Sequence, residues 1–290
     1  MKLFSLPKVG LALGGGGAKG LTHIGVIKVL EKNKIPLDYI SGTSIGSLIG
    51  GLYAATKDIK LIEQIVLDNN WREIGNLFFD PTFKLGFVQG EKIKKFIEKY
   101  IGDIDFKDLK IPFAVTGTDL KTGNLVVINS GKVAEAIRIS ISIPILFKPV
   151  EKNGQILVDG GLSSPVPVEV VKKMGAQFII GVDLYNDYSD RKIRLTNIPY
   201  DSVNILIHNL GKKDTELADI TISPKTSTLG WSKFLSQKGS LEGIRFGEEA
   251  TKKIIPKLKV LLAQKRTTTF FTRLVNFFKK RFNPNFNNHP

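Results

Sequence analysis

An α/β domain of three layers is predicted, with a central, mainly parallel sheet between two layers of helices. Short apolar strands alternate with helical segments along most of the chain, and this alternation is typical of a parallel sheet that is covered on both faces. Glycine-rich loops follow the first two strands directly. The length of 290 residues, the hydrophobic fraction of 42% and the charged fraction of 24% suit one globular domain with a full core.

Each element of this fold has its own sequence signal. A buried apolar run predicts the first strand at Val9–Leu13, and a shorter run at 37–41 predicts the second, which leads through the turn at 42–46 into a helix that ends near residue 55. Alternating residues on either side of a turn predict paired strands at 112–118 and 125–128. Further strands are predicted at 156–158, 178–184 and 220–223, helices at 18–33, 61–67, 91–100, 133–141, 168–174 and 241–264, and a loop between Pro144 and Pro149. Pro256 is expected to kink the last helix.

Composition narrows the classes of function. The net charge of +15 predicts attraction to polyanions, either nucleic acid or an anionic membrane surface. The chain has no cysteine, which excludes disulfides, thiolate metal sites and a cysteine nucleophile. Pro7 and Lys8 interrupt the first apolar stretch, so we interpret it as a strand and not as a signal peptide. Residues 39–56 carry no charge but are too polar to span a bilayer. We expect a cytoplasmic protein.

The segment Gly42-x-Ser44-x-Gly46 lies between a predicted strand and a predicted helix. Acyl transfer requires a serine on such a sharp turn, because small neighbours permit a strained backbone and leave the hydroxyl clear at the start of the helix. A tight glycine-rich turn capped by a serine would have the same sequence. The strand-turn-helix context favours a nucleophile.

The glycine-rich segment Gly14-Gly15-Gly16-Gly17-Ala18-Lys19-Gly20 also follows a strand and opens a helix. Consecutive glycines can point several backbone N–H groups at one oxygen, as an oxyanion hole requires. A phosphate cradle is the competing interpretation, but Asp38 lies at the wrong end of its strand for a dinucleotide site, and no Gly-Lys-Ser/Thr follows for a P-loop. Lys19 is unusual in the first turn of a helix, where it could shape the loop, meet an anionic head group or be a solvated surface lysine.

The third segment, Asp159-Gly160-Gly161, ends a predicted strand, and alone it would be an ordinary turn. The order of glycine-rich loop, Gly-x-Ser-x-Gly and Asp-Gly-Gly resembles that of the patatin-like phospholipases, and is close to their single-domain bacterial members. Further resemblance lies in the sequences of 138–144, 147–149, 161–167 and 218–224, so that the likeness covers roughly residues 9–249. Many members carry asparagine where this chain has Ser164.

The resemblance implies a lipid acyl hydrolase of the phospholipase A or lysophospholipase type with a Ser–Asp dyad. Ser44 would be the nucleophile and Asp159 its base, in a largely dry site. Three amides, those of Gly15, Gly16 and Gly17, would form the oxyanion hole. Supporting roles are expected for Lys19, Gly160 and Gly161. The resemblance implies no metal and no organic cofactor, and a phospholipid or another acyl-ester lipid as substrate.

Two other functions remain open at this point. A Ser-Asp-His triad of the α/β-hydrolase type would use Ser44, Asp159 and His208, which occur in its chain order. Only two strands precede Ser44, however, and the residues around His208 read as an ordinary helix. The second alternative is a lipid-binding protein without catalysis.

The composition changes after Gln264, which divides the chain into an acyl hydrolase domain at 1–264 and a tail at 265–290. The tail has six basic residues, no acidic ones and six of the 18 phenylalanines. On a helix its apolar residues fall on one side, which is typical of a segment that lies in an anionic membrane interface. A terminal helix packed on the protein, or on a second subunit of a homo-oligomer, is the alternative. No nucleic-acid-binding module is recognised. We expect a peripheral membrane protein.

Overall fold

One mixed sheet with helices on both faces forms the core in this computed structural model, which describes residues 7–68, 88–144, 146–186, 198–230 and 236–282. Within these ranges the strands are β1 (Val9–Leu13), β2 (Tyr39–Gly42), β3 (Phe113–Asp119), β4 (Leu125–Ile128), β5 (Val150–Lys152), β6 (Gln155–Asp159), β7 (Phe178–Val182) and β8 (Ile220–Ile222). The helices are α1 (Thr22–Lys32), α2 (Ile45–Thr56), α3 (Ile59–Asp68), α4 (Glu91–Ile101), α5 (Val133–Ser140), α6 (Val168–Lys173), α7 (Ile198–Thr215) and α8 (Gln237–Phe282). Short 3₁₀ turns lie at Gly17–Leu21, Phe106–Asp108 and Gly160–Leu162.

The sheet has the order β5-β6-β3-β2-β1-β7-β8, and β4 also pairs with β3. The five strands from β3 to β8 are parallel, whereas β4 and β6 run antiparallel to β3, and β5 antiparallel to β6. Helical crossovers join the parallel strands, and short turns join the antiparallel ones, as these two kinds of pairing require. The predicted mainly parallel sheet is therefore confirmed.

Two apolar clusters show that helices cover both faces of the sheet. Leu11 and Leu13 of β1 are buried in a large cluster with residues of α1, α2 and α5. Ala12, which points to the opposite face, is buried in a second cluster with Val168 and Val171 of α6. The central strand is therefore covered on both sides, and the three-layer architecture is confirmed.

The structure differs from the predicted elements in two places. The helix expected at 18–33 begins within a 3₁₀ turn at Gly17–Leu21, and α1 starts only at Thr22. The segment that follows the loop expected between Pro144 and Pro149 forms strand β5, which is not predicted from the sequence. Asn153 and Gly154, both with positive φ, form the two-residue turn that joins β5 to β6 as a hairpin.

Helix α8 runs beside α1, from the carboxyl edge of the parallel strands to their amino edge. Near its start, a side chain on Gly247 would overlap the carbonyl of Thr22, the first residue of α1. Further along, Lys259 Nζ donates to Asn33 Oδ1 at 2.9 Å, just beyond the end of α1. Lys265 Nζ then donates to Asp219 Oδ1 at 2.9 Å, directly before β8. The helix therefore leaves the sheet at its amino edge.

The backbone of α8 is helical through Pro256 and Gln264 as far as Phe282. The predicted tail thus begins as a continuation of α8, and the division at Gln264 stays a prediction. No helix in the part of the chain that the structure describes combines the length and the apolar character that a membrane span requires.

Candidate active site

Ser44 lies on a strained turn between β2 and α2. Its backbone has φ of 53° and ψ of −126°, in a region that residues other than glycine rarely adopt. The turn is fixed on both sides of the serine: Thr43 N–H donates to the carbonyl of Leu13 at 3.0 Å, and Ser44 N–H donates to Ser140 Oγ at 2.8 Å. The backbone therefore holds the hydroxyl at the carboxyl edge of the sheet, as the Gly-x-Ser-x-Gly pattern predicts.

Both glycines of this motif are required by close backbone contacts. A Cβ atom on Gly42 would lie 2.6 Å from Ser47 Cα and 2.7 Å from the Gly46 carbonyl oxygen. A Cβ atom on Gly46 would overlap the carbonyl oxygens of Leu13 and Gly14. Backbone atoms cannot move aside as a flexible side chain can, so any larger residue would displace the nucleophile turn or the glycine-rich loop.

Asp159 meets Ser44 directly, although 115 residues separate them in sequence. Ser44 Oγ donates to Asp159 Oδ2 at 2.6 Å. The sheet explains the meeting: Gly42 pairs with Val115 of β3, and Asp159 pairs with Gly117 two residues further along the same strand. The antiparallel β6 thus returns the carboxylate to the level of the nucleophile turn.

The carboxylate is held in one orientation by its own loop. Asp159 Oδ1 accepts a hydrogen bond from Gly161 N–H at 2.7 Å. The backbone N–H of Asp159 donates to the Ser142 carbonyl at 3.0 Å, and its carbonyl accepts from Thr118 Oγ1 at 2.9 Å. A side chain on Gly160 would overlap Thr116. Gly160 and Gly161, which the sequence marks as supporting residues, therefore permit a close turn and supply an N–H donor.

Burial makes this carboxylate more basic than one in water. Ser44 and Asp159 are each 6% exposed. Burial raises the pKa of Asp159 from 3.8 to about 6, although the hydrogen bonds from Ser44 and Gly161 act in the opposite direction. The group is still ionised at neutral pH. The difference between its pKa and that of the serine hydroxyl is therefore smaller than for a solvated aspartate, which makes it a better proton acceptor.

The glycine-rich loop approaches Ser44 from the other side. A Cβ atom on Gly15 would lie 3.4 Å from Ser44 Cβ. The Gly15 amide, however, donates to the Pro165 carbonyl at 2.9 Å, so in this conformation it is already occupied. The amides of Gly16 and Gly17 follow at the start of the 3₁₀ turn, where Gly17 adopts a positive φ. The oxyanion role of Gly15, Gly16 and Gly17 stays a prediction.

Lys19 is a buried link between two loops and not a solvated surface residue. It is only 7% exposed. Its Nζ donates to the Leu184 carbonyl at 3.0 Å and lies 4.8 Å from the centre of the Tyr185 ring. These contacts tie the glycine-rich loop to the segment that follows β7. Of the roles considered for Lys19, shaping the loop agrees best with this position.

His23 is a second support of the same loop, and sequence reasoning misses it. Its ring is fully buried in α1, and Nε2 donates to the Gly14 carbonyl at 2.8 Å. Burial lowers the pKa of His23 to about 4, so the ring is neutral at physiological pH. The sequence shows no evident partner for His23, because its contact is with a backbone carbonyl, which carries no residue-specific signal.

Asp214 on α7 holds the segment that receives the Gly15 amide. Its Oδ2 accepts from Val166 N–H at 3.0 Å and from Ser164 Oγ at 3.3 Å. Burial raises the pKa of this carboxyl to about 6. No sequence pattern pointed to Asp214, which lies 50 residues from Ser164.

His208 does not reach the Ser44–Asp159 pair in this structure. Its Nδ1 is 2.8 Å from the carbonyl oxygen of Tyr185, in the segment that follows β7. In a Ser-Asp-His triad the imidazole lies between the serine and the aspartate. The direct contact of Ser44 with Asp159 leaves no place for it there. The geometry therefore favours a dyad over the triad alternative.

Comparison with known proteins agrees with this arrangement. A family model described as patatin-like phospholipase matches residues 11–172, which contain the glycine-rich loop, the nucleophile turn and the aspartate. The chain belongs to the patatin-like phospholipase family. The resemblance seen in its motifs is thereby confirmed.

Among curated proteins, the chain is 35% identical to lysophospholipase NTE1 of Debaryomyces hansenii over 189 residues, which are 63% of this chain and 12% of that protein. It is also 35% identical to lysophospholipase NTE1 of Saccharomyces cerevisiae over 189 residues, 63% of this chain and 11% of that protein. The chain thus matches only about an eighth of the length of these relatives. VipD from Legionella pneumophila is similar in fold, with a TM-score of 0.50 and 15% identity over 90% of this chain and 67% of that one.

Proposed function

We propose that this chain hydrolyses acyl esters of glycerolipids through a Ser44–Asp159 dyad and an acyl-enzyme intermediate. The observation that carries the proposal is the 2.6 Å hydrogen bond from Ser44 Oγ to Asp159 Oδ2 within a site from which water is largely excluded. Family membership supports the chemistry, and the relatives named as lysophospholipases support a phospholipid or lysophospholipid substrate.

In the first half-reaction Ser44 Oγ attacks the ester carbonyl carbon while its proton passes to Asp159 Oδ2. The carbonyl oxygen becomes an oxyanion, which accepts hydrogen bonds from the amides of Gly16 and Gly17. When the tetrahedral intermediate collapses, the bond to the alcohol oxygen breaks, and that oxygen takes the proton from Asp159. The products are the free alcohol and an acyl ester on Ser44.

In the second half-reaction a water molecule attacks the acyl ester and gives its proton to Asp159. The intermediate collapses to a fatty acid, and Ser44 recovers its proton from Asp159. A general base contributes about 10²–10⁴-fold to such a step, and each oxyanion donor about 3–4 kcal/mol. A dry site strengthens both effects because it lowers the local dielectric constant.

We further propose that the protein works at an anionic membrane surface, with residues 265–290 as one basic attachment. The net charge of +15 supports this, as do the six basic residues and the absence of acidic ones in the tail sequence. Since the whole chain is basic, attraction to anionic lipid does not depend on the tail alone.

Hydrolysis of a lysophospholipid by purified protein, followed as release of fatty acid, tests the catalytic proposal. Wild type and Ser130→Ala, which changes an exposed serine far from the dyad, should be active and should react with a fluorophosphonate probe. Ser44→Ala should lose both activities while remaining folded. Hydrolysis that persists in Ser44→Ala would refute the assignment of the nucleophile. Lipid binding without hydrolysis by wild type would favour the non-catalytic alternative.

A further inference from the structure

Helix α7 exposes apolar side chains on its outward face. Ile198, Val203, Ile205 and Leu206, which we call the α7 patch, are between 43% and 69% exposed. Asn204, in contrast, is buried within the same stretch. At 100° per residue the four apolar residues fall within about 160° of the helix surface. A helix that covers a core normally buries its apolar residues and exposes its polar ones. Packing against the core therefore does not explain the apolar residues of the α7 patch.

The patch lies at the end of α7 that projects beyond the carboxyl edge of the sheet. Thr215, the last residue of α7, is level with Gly181 in β7. A Cβ atom on Gly181 would lie 3.8 Å from the methyl group of Thr215. His208 is level with Tyr185, three residues beyond the end of β7. The helix therefore descends toward the sheet along its length. Since a helix rises about 1.5 Å per residue, its first residue lies about 15 Å beyond the level of His208.

This edge of the sheet is also the edge that carries Ser44. A short chain of contacts connects α7 to the nucleophile. Asp214 of α7 accepts from Val166 N–H, and the adjacent Pro165 carbonyl accepts from Gly15 N–H. A Cβ atom on Gly15 would in turn touch Ser44 Cβ. A surface that seated the α7 patch would consequently approach the side of the molecule where the nucleophile lies.

Charge along α7 matches a lipid interface. Lys212 and Lys213 are exposed and follow Leu206 by six and seven residues, or about 10 Å of helix. An interfacial helix buries its apolar residues about 5–10 Å into the lipid. Lysines that follow these residues at about 10 Å along the helix can then reach the phosphates of the head groups. Asp201, the acidic residue of this half of the helix, is half-buried and lies to one side of the centre of the patch.

The basic tail cannot replace this surface. Lys265 lies beside Asp219 at the amino edge of the sheet, and the α8 backbone stays helical from there to Phe282. Ser44 lies at the carboxyl edge, on the opposite side. Attachment through the tail would bring the protein to a membrane without turning its nucleophile toward the lipid.

We infer that the α7 patch is a docking surface for an anionic phospholipid bilayer and that it seats the catalytic edge of the protein on its substrate. This inference rests on the proposed function where it concerns hydrolysis, but the binding itself does not require it. The α7 patch and the tail then have different tasks, since one orients the site and the other adds electrostatic affinity.

Substitutions at two exposed apolar residues test the inference. Leu206→Glu places a negative charge in the α7 patch, at a position that is 69% exposed. Val260→Glu is the matched control, because Val260 is 56% exposed on α8 next to Lys259, at the opposite edge. Leu206→Ser removes the apolar side chain without adding charge. Co-sedimentation with vesicles of phosphatidylcholine and phosphatidylglycerol measures binding, in a Ser44→Ala background that leaves the lipid intact.

We expect Leu206→Glu to weaken vesicle binding about tenfold or more, Leu206→Ser about threefold to tenfold, and Val260→Glu less than about twofold. With Ser44 present, release of fatty acid from vesicles should fall in the same order, whereas hydrolysis of a soluble short-chain ester should not change. The unchanged soluble activity also reports that the variants fold.

Equal vesicle binding by Leu206→Glu and Val260→Glu would overturn the inference. So would binding that disappears when the chain ends at Gln264 but is unaffected by Leu206→Glu, since the tail would then be the lipid contact. A wild-type dimer in sedimentation that Leu206→Glu dissociates would assign the patch to a second copy of the chain and overturn it as well. If wild type hydrolyses no ester while its vesicle binding still depends on Leu206, the docking surface stands and the proposed function fails.

Discussion

Replacing Asp159 with asparagine should make the protein more stable and at the same time inactive. Burial raises the pKa of this carboxyl from 3.8 to about 6, and a pKa difference of one corresponds to about 1.4 kcal/mol of free energy. Keeping Asp159 ionised in the folded protein at neutral pH therefore costs about 3 kcal/mol. Asparagine has no charge to desolvate, can accept from Gly161 N–H and can still pair with Ser44.

The direction of the pH dependence follows from the raised pKa. Between pH 4 and 6 the folded protein binds a proton at Asp159 more tightly than the unfolded chain does, so this group lowers stability as the pH rises through that window. Above about pH 6–7 its effect is constant. The free energy of unfolding of Asp159→Asn should consequently exceed that of wild type by up to about 3 kcal/mol at pH 7.5, and the difference should vanish near pH 4.

Urea unfolding of both proteins, followed by circular dichroism at several pH values, measures this difference. Asp103→Asn serves as a control, since Asp103 is an exposed carboxylate that pairs with Lys132. It should show no gain in stability. A stability difference for Asp159→Asn that is zero or negative at pH 7.5, or that does not change between pH 4 and 7.5, would refute the argument that burial makes this aspartate basic.

Three further predictions concern the supports of the site and the tail. His23→Ala should lower kcat about tenfold to a hundredfold with little change in KM, because the Gly14 carbonyl loses its donor and the glycine-rich loop shifts. His208→Ala should keep most activity, and a loss of about 10³-fold or more would instead favour the triad. Gly46→Ala should abolish fluorophosphonate labelling or soluble expression because of its contact with backbone carbonyls, whereas Gly230→Ala, which has open space around it, should behave as wild type; normal labelling of Gly46→Ala would contradict the steric account. Deleting the residues after Gln264 should weaken sedimentation with anionic vesicles, more at low salt than at high salt, and leave soluble-ester hydrolysis intact; binding that is unchanged at low salt would exclude a membrane role for the tail.

Sequence patterns predict the parts of the fold that depend on local signals. The buried run Val9–Leu13 is recognisable as a central strand, and the helical and strand periodicities locate most of the other elements. The resemblance carried by the three motif segments also predicts that Ser44 and Asp159 meet. In the structure they do so because β6 runs antiparallel to β3 and returns Asp159 to the level of the nucleophile turn.

Other features of the site depend on contacts that no local pattern encodes. The occupied amide of Gly15 and the position of His23 both involve backbone carbonyls, and any residue can supply a carbonyl. The burial of Lys19 depends on the loop after β7, to which it donates across a separation of 165 residues. Hairpin β5–β6 is not predicted from the sequence, although Asn153-Gly154 is a strong turn signal. The reason is that Pro149, directly before β5, suggests an irregular loop.

The central claim, that Ser44 is a nucleophile activated by Asp159, is tested most directly by the rate at which a fluorophosphonate labels the protein. The site of the label is mapped by peptide mass spectrometry, and the rate is compared between wild type and Asp159→Asn. We predict that the label lies on Ser44, that the wild-type rate is half-maximal near pH 6 and reaches a plateau above about pH 7, and that Asp159→Asn reacts about 10²–10⁴-fold more slowly. Labelling of another residue, or an equal rate in Asp159→Asn, would contradict the account.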